Sequence, residues 1–122
     1  MKGFVYRCGI YTNQYIGGLF MEKLQFLYQL KLIPSLLSEE NWTERENDIV
    51  TRHFEALKKA EQEGTVILAG RTLNMDSDGF GIVIFEVDSE EEAQLFMETD
   101  PAVKEGIMTA TLFPYRIAIM RS

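Results

Sequence analysis

The sequence has one cysteine, Cys8, and one histidine, His53, among 122 residues. A single thiol rules out an intramolecular disulfide and any site built from several cysteines. Such usage fits a reducing compartment. Basic residues are in the minority: 12 Lys and Arg against 19 Asp and Glu give a net charge of −7. Lys58-Lys59 is the one basic doublet and reads as a solvated helix face. Without a basic patch, nucleic acid is not an expected partner. No apolar run reaches the roughly 18 residues that a membrane span needs. The stretch "GIYTNQYIGGLF" (9–20) is too polar and glycine-rich for a signal-peptide core. The chain therefore reads as soluble and cytoplasmic, with no membrane partner. GxSxG, P-loop, GxGxxG and HExxH motifs are all missing. Asn74, Asp76 and Asp78 superficially resemble a calcium loop, but no bidentate acid follows where an EF-hand needs one. They read as a turn, and no metal or cofactor is expected.

What remains is ordinary for one globular domain, with 46% hydrophobic and 25% charged residues. A chain of this length buries a core without disulfides or metals. The six methionines are scattered and read as core filler.

Residues 24–33, "LQFLYQLKLI", alternate. Leu24, Phe26, Tyr28, Leu30 and Leu32 fall on one face and Gln25, Gln29 and Lys31 on the other, which predicts a strand with one buried side, ended by Pro34. Thr43 and Glu46 form a capping box that opens a helix over about 44–63. On it Ile49, Val50, His53, Phe54, Leu57 and Ala60 recur at helical spacing as one stripe, and Gly64 stands at the expected C-terminal cap. "TVILAG" (65–70) reads as a strand and "NMDSDG" (74–79) as a turn. "FGIVIFEV" (80–87) is apolar on both faces and should be a central strand. Ser89 and Glu92 form a second capping box before a helix over about 90–99. "DPAVKEG" (100–106) turns the chain, and "IMTATLFPYRIAIM" (107–120) is a last strand interrupted at Pro114. The order strand, helix, strand, strand, helix, strand is an α+β, ferredoxin-like split βαβ arrangement with both helices on one face. No further element remains to cover the other face, so a homodimer packing sheet on sheet is expected.

Residues 1–20 allow two interpretations. "GFVYRCGIY" (3–11) is rich in β-formers, and Gly17-Gly18 could punctuate a strand. Alternatively, Gly17-Gly18 can be encoded as GGAGGN, which resembles a bacterial ribosome-binding site just before the Met21 codon. The second is favoured, with 1–20 an extension from a mis-called start and 21–122 the domain.

Few residues invite chemistry. His53 lies on the stripe facing the sheet, where it is either a core histidine with one hydrogen bond or a partly buried general acid or base. Asp100 is the best partner: Asp-Pro can simply cap a turn, yet in a split βαβ fold the two helices lie side by side and His53 and Asp100 could meet. In "AGRT" (69–72), Gly70 could let a substrate approach the backbone, and Arg71 could hold a carboxylate or phenolate or be an ordinary surface arginine.

Taken together, His53, Leu57, Gly64, Ala69-Gly70, Gly79, the "SEEEA" helix start (89–93), Asp100-Pro101, Gly106 and Pro114 resemble the YciI-like, or YCII-related, domain family, over about residues 21–120. The resemblance implies a ferredoxin-like fold assembling as a dimeric α+β barrel. It also implies an active site built on a histidine–aspartate pair, roles that carry to His53 and Asp100. The implied activity is a lyase- or isomerase-type proton transfer on a small organic acid or aromatic ring; Arg71, read from the residues themselves, would bind an anionic group. The alternative is a non-catalytic dimeric ligand-binding or interaction module using the same pocket. A haem-degrading or heavy-metal-binding barrel is weaker, because one histidine and one cysteine give a metal few ligands.

Overall fold

Thr43 starts the helix that carries the single histidine. In the computed structural model, which describes residues 13–16 and 19–121, the Thr43 side chain accepts from the Arg45 N–H, and the Glu46 carboxylate reaches back to the Thr43 N–H at 2.8 Å. These bonds satisfy backbone donors that a helix start leaves unpaired. The helix, α1, runs Glu44–Gln62. Gly64 follows it at φ +91°, the left-handed conformation that ends helices and that residues with a Cβ resist.

Before α1 come β1 (Asn13–Ile16), β2 (Leu19–Glu22) and β3 (Leu24–Leu32), then two short 3-10 turns at Pro34–Leu37 and Glu39–Asn41. After it come β4 (Val66–Arg71), β5 (Gly81–Val87), α2 (Glu90–Thr99), the four-residue α3 (Pro101–Lys104) and β6 (Met108–Pro114). β1 and β2 form an antiparallel hairpin in which Met21 pairs with Gln14. Residues 1–12, 17 and 18 lie outside the described residues, and with them Cys8 and most of the expected N-terminal extension.

The main sheet has the order β4-β5-β3-β6, with every pair antiparallel. β5 lies between β4 and β3, which is the split βαβ arrangement, and its run of buried residues reflects that central place. Register sets Tyr28 opposite Val83 on one side and Leu112 on the other. Their face packs against the helices: Phe26, Tyr28, Leu30, Val83 and Phe85 form one core with Leu57, Ala60, Ala93 and Met97. A second cluster joins Leu36, Ile49, Ala102 and Ile107, with Trp42 packed against it and donating to the Leu36 carbonyl at 2.8 Å. His53 stands one turn from Ile49 and one turn from Leu57, at the seam between the clusters.

The expected dimeric α+β barrel is not what the sheet forms. Among the described residues β4 and β6 are the two edges of an open sheet, not partners of each other. Four strands accumulate too little twist to close; a barrel takes about eight. The opposite face also differs from expectation at one end. Beyond Pro114 the Tyr115 N–H makes a last bond to the Gln25 carbonyl, and the Ile117 N–H donates to the Gln25 side chain at 2.8 Å, with Ile117 buried there. Among the described residues no helix is long and apolar enough to cross a membrane.

Candidate functional site

Helical spacing places His53 on the inner stripe of α1, and its ring is 5% exposed. Asp100 closes α2 and opens α3. Its N–H donates to the Met97 carbonyl, and its Oδ1 accepts from the Ala102 N–H at 2.9 Å, with Pro101 at the first helical position. Asp100 therefore is a cap, as one interpretation of Asp-Pro required. It is also the partner of His53: Nδ1 lies 2.6 Å from Asp100 Oδ1, across 47 residues of sequence. Arg45 and Arg52 on α1 both pair with Glu105 just after α3, which holds the two helices in this alignment.

The second carboxylate oxygen is also engaged. The Tyr28 hydroxyl donates to Asp100 Oδ2 at 2.6 Å, so Asp100 receives Tyr28, the Ala102 N–H and the His53 ring. The Ala102 N–H and the Tyr28 hydroxyl donate to its two oxygens, the pattern of an ionised carboxylate, which only accepts. His53 Nδ1 then carries a proton toward Asp100, and in the neutral ring Nε2 holds the lone pair. Burial, and then the neighbouring Asp100 carboxylate, push the Tyr28 hydroxyl well above the usual phenol range.

Nε2 makes no hydrogen bond among the described residues. Yet no buried side-chain nitrogen or oxygen there lacks a partner, so Nε2 is not sealed in the core. His53 lines a cavity of about 940 Å³ between α1, the sheet and the 72–80 loop. Asp100 does not line it and meets the cavity only through His53. The walls are apolar: Leu30, Leu57, Val83, Trp42 and Met108 contribute, and Leu68 and Ile82 carry the space round the β4 edge. Phe54 belongs to the sequence stripe but is 57% exposed; it lines this cavity with its ring 5.4 Å from that of His53.

Arg71 and Gly70 border the same cavity, without contact to the histidine–aspartate pair. Arg71 Nη1 donates to the Thr72 carbonyl at 3.1 Å. A Cβ at Gly70 would meet nothing within 4 Å, so the strand backbone is open there. Lys31 and Lys58 also line the space, and none of these three cations is in an ion pair among the described residues. Glu61 and Asp76 are the acids present. Asp76 is committed to its turn, where the Asn74 amide and the Asp78 N–H hold its carboxyl below the usual carboxylate range. Gly79 closes the turn: a Cβ would lie 2.5 Å from the Asn74 carbonyl. Among the described residues no cluster of three or more His, Cys, Asp or Glu could hold a metal.

Sequence reasoning missed three participants: Tyr28, Phe54 as a cavity wall, and Lys58. Tyr28 left a signal, since a tyrosine amid an otherwise apolar strand face needs a partner for its hydroxyl. Phe54 and Lys58 left none, because only the receding 72–80 loop decides that their side of α1 borders a cavity.

With this geometry, the chain belongs to the YCII-related domain family, which matches residues 31–113. Among solved structures it is similar to 5-chloro-2-hydroxyhydroquinone dehydrochlorinase (TftG) from Burkholderia phenoliruptrix AC1100, in complex with 2,5-dihydroxybenzoquinone. The TM-score is 0.58 at 22% identity, covering 76% of this chain and 94% of that one. At such identity the likeness shows a common fold. No curated protein matches the sequence.

Proposed function

We propose that this protein is an acid–base catalyst of the lyase or isomerase type, acting on a small organic acid or aromatic ring. The observation that carries this reading is the buried His53, bonded to Asp100 through Nδ1 at 2.6 Å while the residue itself lines a cavity. In this reading Nε2 takes a proton from the substrate and returns it, or passes it to solvent. Asp100 orients the ring and stabilises the imidazolium as it forms. Arg71 binds an anionic substituent, and the open backbone at Gly70 lets the ligand lie close to β4. The apolar walls keep water from the reacting atoms. The similar fold of TftG supports the choice of substrate: that protein is a dehydrochlorinase holding a small hydroxylated quinone. Loss of HCl from a chlorinated hydroxyhydroquinone removes a proton and chloride together, a step that a positioned base accelerates.

The test is a screen of hydroxylated and halogenated aromatic acids and quinones, with loss of substrate absorbance as the signal. His53→Ala should lower turnover by about 10²–10⁴-fold while the protein still folds and still binds ligand. A variant that keeps full turnover would sink the reading. A variant that binds as before, beside a wild type that turns over nothing in the screen, would favour the non-catalytic binding module. We further propose a homodimer in which a second copy covers the exposed Leu68 and Phe113 on the sheet face away from the helices. Light scattering on the eluted protein should return twice the mass of one chain, and a monomer mass would refute the dimer.

A further inference from the structure

The hydrogen-bond chain behind His53 does not end at Asp100. Tyr28 is fully buried in β3, between Phe26 and Leu30 on the apolar face. Its ring is held edge-on by Phe85 at 5.6 Å and by Phe96 at 6.2 Å. A phenylalanine would fill the same space. The hydroxyl therefore has one use here, the 2.6 Å bond to Asp100 Oδ2.

That bond has a mechanical consequence. A carboxylate turns about its Cβ–Cγ bond over a broad, low barrier. Oδ1 is tied by the Ala102 N–H, which alone leaves the group free to pivot. Tyr28 ties the other oxygen, and it is anchored to the central part of the sheet by register with Val83 and Leu112. With both oxygens held, Oδ1 stays in line with His53 Nδ1. Burial keeps the phenol protonated, so the tie persists across the working pH range.

On the acid–base reading above, we propose that Tyr28 is a positioning residue for the site. By holding Asp100 it locks the neutral His53 ring in the tautomer with Nδ1–H toward Asp100 and a bare Nε2 toward the cavity. The site is then a three-residue relay, Tyr28–Asp100–His53, that couples the sheet to both helices.

The chain has a single histidine, so its ring nitrogens can be observed directly. The experiment is two-bond proton–nitrogen correlation NMR on the full chain labelled with ¹⁵N-histidine, at alkaline pH where the ring is neutral. It compares wild type, Tyr28→Phe and Asp100→Asn. The wild type should show one tautomer, protonated at Nδ1. Tyr28→Phe should keep the fold, yet move the nitrogen shifts toward a mixture containing the Nε2–H form that a free histidine side chain prefers. A purely structural tyrosine would leave those shifts in place. If Tyr28→Phe matches the wild type while Asp100→Asn changes the spectrum, the role of Tyr28 is overturned and the pair stands. If neither variant changes it, the inference falls together with the reading it rests on. Should Tyr28→Phe not fold, the wild type still decides: it should show a slowly exchanging downfield hydroxyl proton that vanishes in Asp100→Asn. Its absence from the wild type overturns the proposal.

Discussion

Two polar groups are buried on opposite faces of one sheet, and they end differently. On the helix face Tyr28, Asp100 and His53 form a chain whose last residue lines a cavity and whose last nitrogen, Nε2, makes no hydrogen bond among the described residues. On the other face Gln25 and Glu86 are each about as buried, at 5% and 7% exposed. Gln25 donates to Glu86 at 3.2 Å and accepts from the Ile117 N–H, which pins the C-terminal segment. Both groups satisfy the rule that buried polar atoms find partners. What separates a candidate site from a structural clasp is thus not burial, nor the presence of a carboxylate. It is one titratable atom left over at the edge of an apolar space.

The sharpest way to break this contrast is to empty each carboxylate position. Asp100→Ala strands the Tyr28 hydroxyl, the His53 ring and the Ala102 N–H at once. It should cost roughly 3–5 kcal/mol of folding stability, read by urea denaturation, and abolish turnover. A loss below about 1 kcal/mol would mean water replaces the carboxylate and the relay is not a sealed unit. Glu86→Ala on the other face should cost less, roughly 1–3 kcal/mol, and leave the His53 nitrogen shifts and any turnover unchanged. A change at His53 would join the two groups and end the distinction.

Smaller effects follow from titration. The Tyr28 hydroxyl titrates well above its ordinary value of 10.0 when folded. A group raised on folding stabilises fully below its unfolded pKa and loses that contribution as pH rises beyond it. Stability should therefore fall above about pH 10, by at most about 1.4 kcal/mol per pH unit for one group, and Tyr28→Phe should flatten that limb of the stability–pH curve. Glu46 behaves in the opposite sense. Thr43 holds its carboxyl down from 4.5 to about 2. Its contribution is full above the ordinary value and fades as pH falls toward 2. Because Glu46 lies at the surface end of α1 and is only partly covered, only a slight change in acid unfolding is expected from Thr43→Ala, with no effect on the His53 spectrum.

Local rules carried much of the structure. Alternation in β3 identified the face on which Tyr28 sits, and the capping box and Gly64 bounded α1 to within a residue. The second capping box is only half reciprocal: Ser89 caps the Glu92 N–H, but Glu92 reaches back to the Asp88 N–H instead. The last strand, expected to run on to residue 120, stops at Pro114, with one further bond from the Tyr115 N–H to the Gln25 carbonyl. The barrel carried over from the family resemblance failed because closure depends on strand number, a property of the whole sheet.

By itself the sequence determined the elements from β3 onward, their order and the two residues worth joining, but not the β1–β2 hairpin, nor that Gln25 is buried while Leu24 is exposed. What it determined depends on chemistry within a few positions of each residue, through periodicity, caps and turn-formers. It did not determine that His53 and Asp100 meet, that Tyr28 completes their chain, or that Arg71, Lys58 and Phe54 border one cavity. Those contacts span up to 72 residues. They exist only because α1 and the α2–α3 corner pack on the same sheet face, and side-chain reach is a matter of ångströms that spacing along a chain does not encode.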